Sequence, residues 1–198
     1  MNRVVFLDRD GTINKEVEYL HRPEDLVILP GVTEGIRMLK EAGFSIVVVT
    51  NQAGVARGYY GEADVLRLHE YLNFCLRKEG AEIDGFYYCP HHPVHGIGEY
   101  KKECRCRKPG IGMFEKAEER FSVDKGHSYM IGDKLLDVEA GNRYGVCSIL
   151  VGTGYGQEIM KELIQKGERG SFAFYASDLK EAARWILNRE SQTTEGDK

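Results

Sequence analysis

Apolar runs of four or five residues recur along the chain, at 3–7, 45–49, 85–89, 128–131 and 148–151, and longer stretches with helical spacing separate them. The second run contains Ile46-Val47-Val48-Val49, an unbroken series of β-branched side chains. Strands that read as continuous apolar runs, with no polar alternation, belong to sheets covered on both faces. Helical periodicity falls at 32–42, 62–79, 111–121, 135–144 and 178–189. Strands alternating with helices specify an α/β fold with a doubly wound parallel sheet. A chain of 198 residues suits one domain. We expect it to occupy residues 1–190, with a polar disordered tail at 191–198. Residues 11–30 and 90–107 break the pattern, and a loop as long as the second needs a function or a staple of its own.

The charge balance is 31 acidic against 27 basic residues, net −4. A broad nucleic-acid surface needs the opposite sign. No stretch reaches the roughly 20 apolar residues of a membrane span. The N-terminal run turns acidic at Asp8, too early for a signal peptide, so a cytoplasmic protein is expected. No surplus apolar stripe is evident beyond the expected core, and a monomer is expected.

The first strand runs directly into Asp8-Arg9-Asp10-Gly11-Thr12. Residues two apart on extended backbone face the same way, so Asp8 and Asp10 can converge on one site. In open α/β sheets that site lies at the carboxyl ends of the strands. Paired carboxylates attract a hard divalent cation such as Mg²⁺, which keeps room for a phosphate oxygen. One aspartate can attack phosphorus while the other transfers protons. Asp133, in Gly132-Asp133-Lys134-Leu135-Leu136-Asp137 after the fourth strand, is placed to complete the magnesium site. Asp137 is expected to cap the following helix or steady the loop. Thr50-Asn51-Gln52 ends the second strand, where a hydroxyl and backbone N–H groups could grip phosphate. Lys108 would add a point positive charge for a metaphosphate-like transition state. Each feature alone has an ordinary explanation as a cap or a solvated surface; their order along the chain is what carries chemistry.

Cys89-Pro90-His91 and Cys104-Arg105-Cys106 flank the long loop as C-x-H and C-x-C pairs. Three thiolates and one imidazole would close a tetrahedral zinc shell. His91 is preferred to His92 because its spacing mirrors that of the second pair. The expected ion is structural and would fold residues 90–107. His21, His69 and His127 join no constellation.

This ordered set resembles the haloacid dehalogenase-type phosphatases, over residues 3 to about 155. The resemblance implies a Rossmann-like fold with a minimal cap, Asp8 as nucleophile and Asp10 as acid/base. It further implies that Thr50 and Lys108 stabilise the phosphoryl group, and that Asp8, the Asp10 carbonyl and Asp133 hold Mg²⁺. A zinc loop before Arg107-Lys108-Pro109 narrows the likeness to a branch containing heptose 1,7-bisphosphate 7-phosphatases and histidinol-phosphate phosphatases. Phe6–Asn14, Val48–Gly54, Tyr87–Pro93 and Tyr129–Lys134 look more like the heptose group, as does the long spacer between His92 and Cys104. The substrate implied is a small phosphorylated sugar, on the route to nucleotide-activated heptose for cell-surface polysaccharide. Arg107 would hold its far end, Glu16, Val17, Glu18 and Tyr19 would contact the sugar, and Asn51, Gln52 and Lys134 would line the pocket. The alternatives are another small phosphomonoester, histidinol phosphate above all, or a zinc-stapled nucleic-acid module using Arg105, Arg107 and Lys108.

Overall fold

The computed structural model describes residues 1–196, with side-chain environments through residue 192. Among the described residues, six parallel strands form one sheet: β1 (Val4–Leu7), β2 (Ser45–Asn51), β3 (Gly85–Cys89), β4 (Tyr129–Gly132), β5 (Cys147–Val151) and β6 (Phe174–Ala176). Their order across the sheet is β3-β2-β1-β4-β5-β6. The chain winds outward from β1 to β3, crosses to β4 and winds outward again. The reversal sets β1 against β4, with Leu7 paired to Ile131.

Seven α-helices among the described residues flank the sheet: α1 (Val32–Glu41), α2 (Ala53–Ala56), α3 (Glu62–Lys78), α4 (Gly112–Phe121), α5 (Leu135–Tyr144), α6 (Gly156–Lys166) and α7 (Leu179–Gly196). Alternate strand residues point to opposite faces. Val5 and Leu7, with Ile46 and Val48, pack against Ile36 and Leu39 of α1, Leu72 of α3 and Ile186 of α7. Val4 and Phe6, with Val47 and Val49, pack against Met113, Phe114 and Ala117 of α4 and Tyr144 of α5. Burial on both faces explains why β1 and the Ile46–Val49 stretch of β2 show no polar alternation.

The sequence periodicity missed α6 and β6. α6 does carry Ile159, Met160, Leu163 and Ile164 at helical spacing, a stripe that went unread; of its eleven residues only Gly156 and Leu163 are buried. β6 has three residues, fewer than a period-2 pattern needs to declare itself. The stretch expected as a disordered tail begins inside α7, which runs on to Gly196; residues 197 and 198 lie outside the described residues.

Candidate active site

Asp8 stands one residue past β1, its N–H donating to the Ile131 carbonyl at 3.0 Å, so the ladder with β4 fixes its backbone. The chain then turns sharply. The Arg9 carbonyl accepts from the N–H groups of Thr12, Ile13 and Asn14. Gly11 adopts φ +86°, and a Cβ there would sit 2.3 Å from Asp133 Oδ2. Only glycine combines that backbone with so close an approach.

Lys108 reaches the same point from a loop outside the sheet. Its ammonium lies 2.8 Å from Asp8 Oδ1 and 2.7 Å from Asp137 Oδ1, and donates to the Val49 carbonyl at 2.7 Å. Burial alone would lower its pKa, but Asp137 and Asp8 outweigh that and hold it above the ordinary lysine value. The Lys108 backbone is clamped by Asn51, whose Oδ1 accepts from Lys108 N–H (3.0 Å) and whose Nδ2 donates to the Lys108 carbonyl (3.1 Å). Asp137 Oδ2 also accepts from Lys134 N–H at 3.1 Å. Asp137 therefore caps α5 and pairs with the lysine at once.

Asp8, Asp133 and Asp137 each offer one carboxylate oxygen, all within 4.8 Å of one another. Asp133 is fully buried. Its Oδ2 accepts from Tyr155 N–H at 2.9 Å, while Oδ1 has no hydrogen-bond partner among the described residues. Burial and then the Asp8 charge push Asp133 up to about 8; burial likewise lifts Asp137 to about 6 against the pull of Lys108. An all-oxygen donor set with one orphaned, buried oxygen fits a hard divalent cation.

The Asp10 carboxylate lies outside this cluster. It is held by Arg9 through Nε (3.2 Å) and Nη2 (3.0 and 2.8 Å), by Asn14 Nδ2 (3.0 Å) and by Gln52 Nε2 (3.0 Å). Burial pushes its pKa up, but Arg9 and the amide donors outweigh burial and hold it below the ordinary carboxylate value. Gln52 also donates to Thr50 Oγ1 (3.0 Å) and accepts from Tyr60 Oη (2.8 Å). Arg9 is completely buried, and its Nη1 points at His69 Nε2, 3.3 Å away. Burial and the Arg9 charge depress His69 to about 3, so it stays neutral. Sequence reading assigned Arg9 no task and gave His69 no constellation. Strand alternation turns Arg9 away from the face shared by its neighbours, and only the long side chain curling back brings it to Asp10.

These groups bound a cleft of about 370 Å³ lined by Asp8, Asp10, Glu16, Glu18, Tyr19, Thr50, Asn51, Gln52, Arg107, Lys108 and Lys134, together with Tyr60, Leu136 and Tyr155. Val17, expected beside a sugar, is half-buried and absent from this lining. Asn51 and Gln52 do line it, but their side-chain amides are committed to Lys108 and to Asp10, Thr50 and Arg9 respectively. Lys134 pairs with Glu16 at 3.0 Å and lies 4.7 Å over the Tyr155 ring. Arg107 donates to the His91 carbonyl at 3.2 Å, so the cysteine–histidine loop holds a cleft residue directly.

In that loop Cys89, His91, Cys104 and Cys106 bring their donor atoms together. Sulfur–sulfur distances are 3.0–3.4 Å, and His91 Nδ1 lies 3.5 Å from Cys106 and 3.8 Å from Cys89. All the cysteines are free thiols. Hydrogen bonding between the two thiols draws Cys106 down to about 5 and pushes Cys89 up, so one proton is shared across the pair. Three sulfurs and an imidazole nitrogen fit a tetrahedral zinc ion. His92 faces elsewhere and accepts from the N–H groups of Val94 and His95.

Carboxylates at two adjacent strand ends, a buried lysine and this sheet order define the HAD-like hydrolase class, and a family model described as HAD-hydrolase-like matches residues 105–182. Curated relatives narrow the class. D-glycero-beta-D-manno-heptose-1,7-bisphosphate 7-phosphatase of Haemophilus influenzae is 44% identical over 155 residues, 78% of this chain and 84% of that one. The D-glycero-alpha-D-manno-heptose-1,7-bisphosphate 7-phosphatase of Burkholderia mallei is 47% identical over 150 residues, 76% of this chain and 79% of that one. The chain belongs to this family of heptose-1,7-bisphosphate 7-phosphatases. A crystal structure of D,D-heptose 1,7-bisphosphate phosphatase from B. bronchiseptica, complexed with magnesium and phosphate, superposes with TM-score 0.80 at 32% identity, covering 94% of this chain and 99% of that one.

Proposed function

We propose that this protein is a magnesium-dependent phosphatase that removes the C7 phosphate of D-glycero-D-manno-heptose 1,7-bisphosphate and leaves heptose 1-phosphate, a step toward nucleotide-activated heptose. The observation that carries this reading is Asp8 Oδ1 held 2.8 Å from the buried Lys108 ammonium in a cleft that also presents Arg107 and Lys134. A carboxylate beside a fixed cation can meet a phosphate whose own charge would otherwise repel it.

An Asp8 oxygen attacks phosphorus, the bond from phosphorus to the sugar oxygen breaks, and Asp10 protonates the departing oxygen. Water then attacks the acyl phosphate on Asp8, giving its proton to Asp10 and freeing inorganic phosphate. Asp10 starts as an anion; a doubly charged phosphate beside it raises its pKa, the direction that loads the proton it must deliver. Lys108 and the Thr50 hydroxyl offset charge on the equatorial oxygens. Asp8, the Asp10 carbonyl and Asp133 would hold magnesium, which would supply further neutralisation at the phosphate when bound. Arg107, anchored through Nη1 to the His91 carbonyl, keeps its remaining donors for the second phosphate, and Glu16, Glu18, Tyr19 and Lys134 face the sugar. Cys89, His91, Cys104 and Cys106 would hold a zinc ion whose role would be structural.

A steady-state panel of both heptose bisphosphate anomers against histidinol phosphate tests the substrate. We expect kcat/KM for one heptose anomer to exceed that for histidinol phosphate by ~10²-fold or more, since a site built to bind a second phosphate leaves charged groups unpaired with any substrate lacking it. Equal values would refute the assignment.

A further inference from the structure

We infer that Arg9 and His69 form a positioning pair for Asp10, His69 fixing the guanidinium and the guanidinium fixing the carboxylate. The inference rests on the reading of Asp10 as the acid/base. Arg9 satisfies its donors almost entirely within this network: Asp10 through Nε and Nη2, the Leu20 carbonyl and Gln52 Oε1 through Nη2 (3.2 Å each), and His69 through Nη1. A guanidinium has no lone pair to offer, so His69 must accept at Nε2 and carry its proton on Nδ1. His69 is itself immobilised, stacked on Phe86 with centroids 4.6 Å apart and planes 17° from parallel. Neither Arg9 nor His69 is among the residues lining the cleft.

Completely burying an arginine against a single carboxylate is a poor way to stabilise a fold, because desolvation of both charges offsets their attraction. What it does achieve is one orientation. The fork holds Asp10 in plane, and the Leu20 contact ties the same guanidinium to the segment that carries Glu16, Glu18 and Tyr19. An acid that must meet a departing oxygen benefits from such a constraint, since small misplacement of a reacting group is costly in rate. Arg9 and His69 are thus positioning residues that act through Asp10.

The test exploits leaving groups. A sugar alkoxide needs a proton as it departs, whereas p-nitrophenolate does not. Rapid-quench measurement of Asp8 phosphorylation, with magnesium present, is made with heptose bisphosphate and with p-nitrophenyl phosphate. His69→Phe keeps a ring to stack on Phe86 and removes the acceptor; His69→Gln restores one. We expect His69→Phe to slow phosphorylation by the sugar phosphate ~10- to 100-fold while p-nitrophenyl phosphate changes less than about threefold, with His69→Gln recovering most of the loss. Arg9→Met should show the same leaving-group dependence more strongly; should it not fold, the His69 variants carry the test. Equal losses on both substrates, or none on the sugar phosphate, would overturn the positioning role. Asp10→Asn run in parallel separates the two claims: if it shows no leaving-group dependence, the acid/base reading fails as well; if it alone shows one, only the positioning pair fails.

Discussion

At the scale of single residues, the crowding of Asp8, Asp133 and Asp137 has a consequence that pH can read. Asp133 is held up to about 8, far above an unfolded aspartate near ~3.9. Between those values the metal-free folded chain binds more protons than the unfolded one, so its stability falls as pH rises through that window. A divalent ion removes the penalty only when the carboxylates are ionised. The gain in melting temperature on adding Mg²⁺ should therefore be larger near pH ~8.5 than near pH ~6, and a gain independent of pH would contradict the metal site. Asp8→Asn should lower kcat by roughly 10⁴-fold or more with the circular-dichroism spectrum unchanged; turnover near wild type would exclude Asp8 as the nucleophile. Asp8, Asp10 and Asp133 were legible in the sequence because strand ends place them, while Lys108 stood out only by its place before Pro109, in a loop outside the sheet. Arg9 and His69 were not, since their meeting depends on side-chain reach and on α3 docking beside β3, neither of which leaves a spacing signal.

At the scale of elements, the cysteine–histidine loop does more than close on itself. Tyr100 within it and Tyr88 on β3 both donate to Glu62 at the start of α3, at 2.8 and 2.6 Å. The loop is thereby braced against a helix and presents Arg107 through the His91 carbonyl. Cys106→Ser should remove zinc, lower the melting temperature by ~5 °C or more, and raise KM for the bisphosphate. Unchanged zinc content by elemental analysis would contradict the ligand set. The far end of the sheet offers a control. Tyr129, at the start of β4, donates to Glu190 of α7 at 2.5 Å, and His127 Nδ1 lies 2.9 Å from the same carboxylate. Tyr129→Phe should cost about 1–3 kcal/mol in denaturant unfolding and leave kcat/KM unaltered, because this bond joins strand to helix away from the cleft. Elements with a strong buried face were readable in the sequence. β6, with three residues, was too short to read, and the short apolar stripe of α6 was passed over.

At the scale of the whole molecule, the strand order alone decides where chemistry can occur. Chain reversal beside β1 opens a crevice at its carboxyl end, and β4 delivers Asp133 to the same crevice. The sequence declared five of the six strands and the alternation, and hence this geometry, although it could not state which strands would be neighbours. No helix among the described residues is long and apolar enough to cross a membrane.

The exchange of two hydrogen bonds between the Asn51 amide and the Lys108 peptide counterfeits a rung of β-ladder, with a side chain standing in for a strand. Lys108 is in this way registered to the central sheet independently of the sulfur-rich loop just before it. Stripping zinc should then uncouple two things that a substrate experiences as one. Grip on the distant anion should weaken, while attack on a minimal monoester proceeds at close to its usual pace.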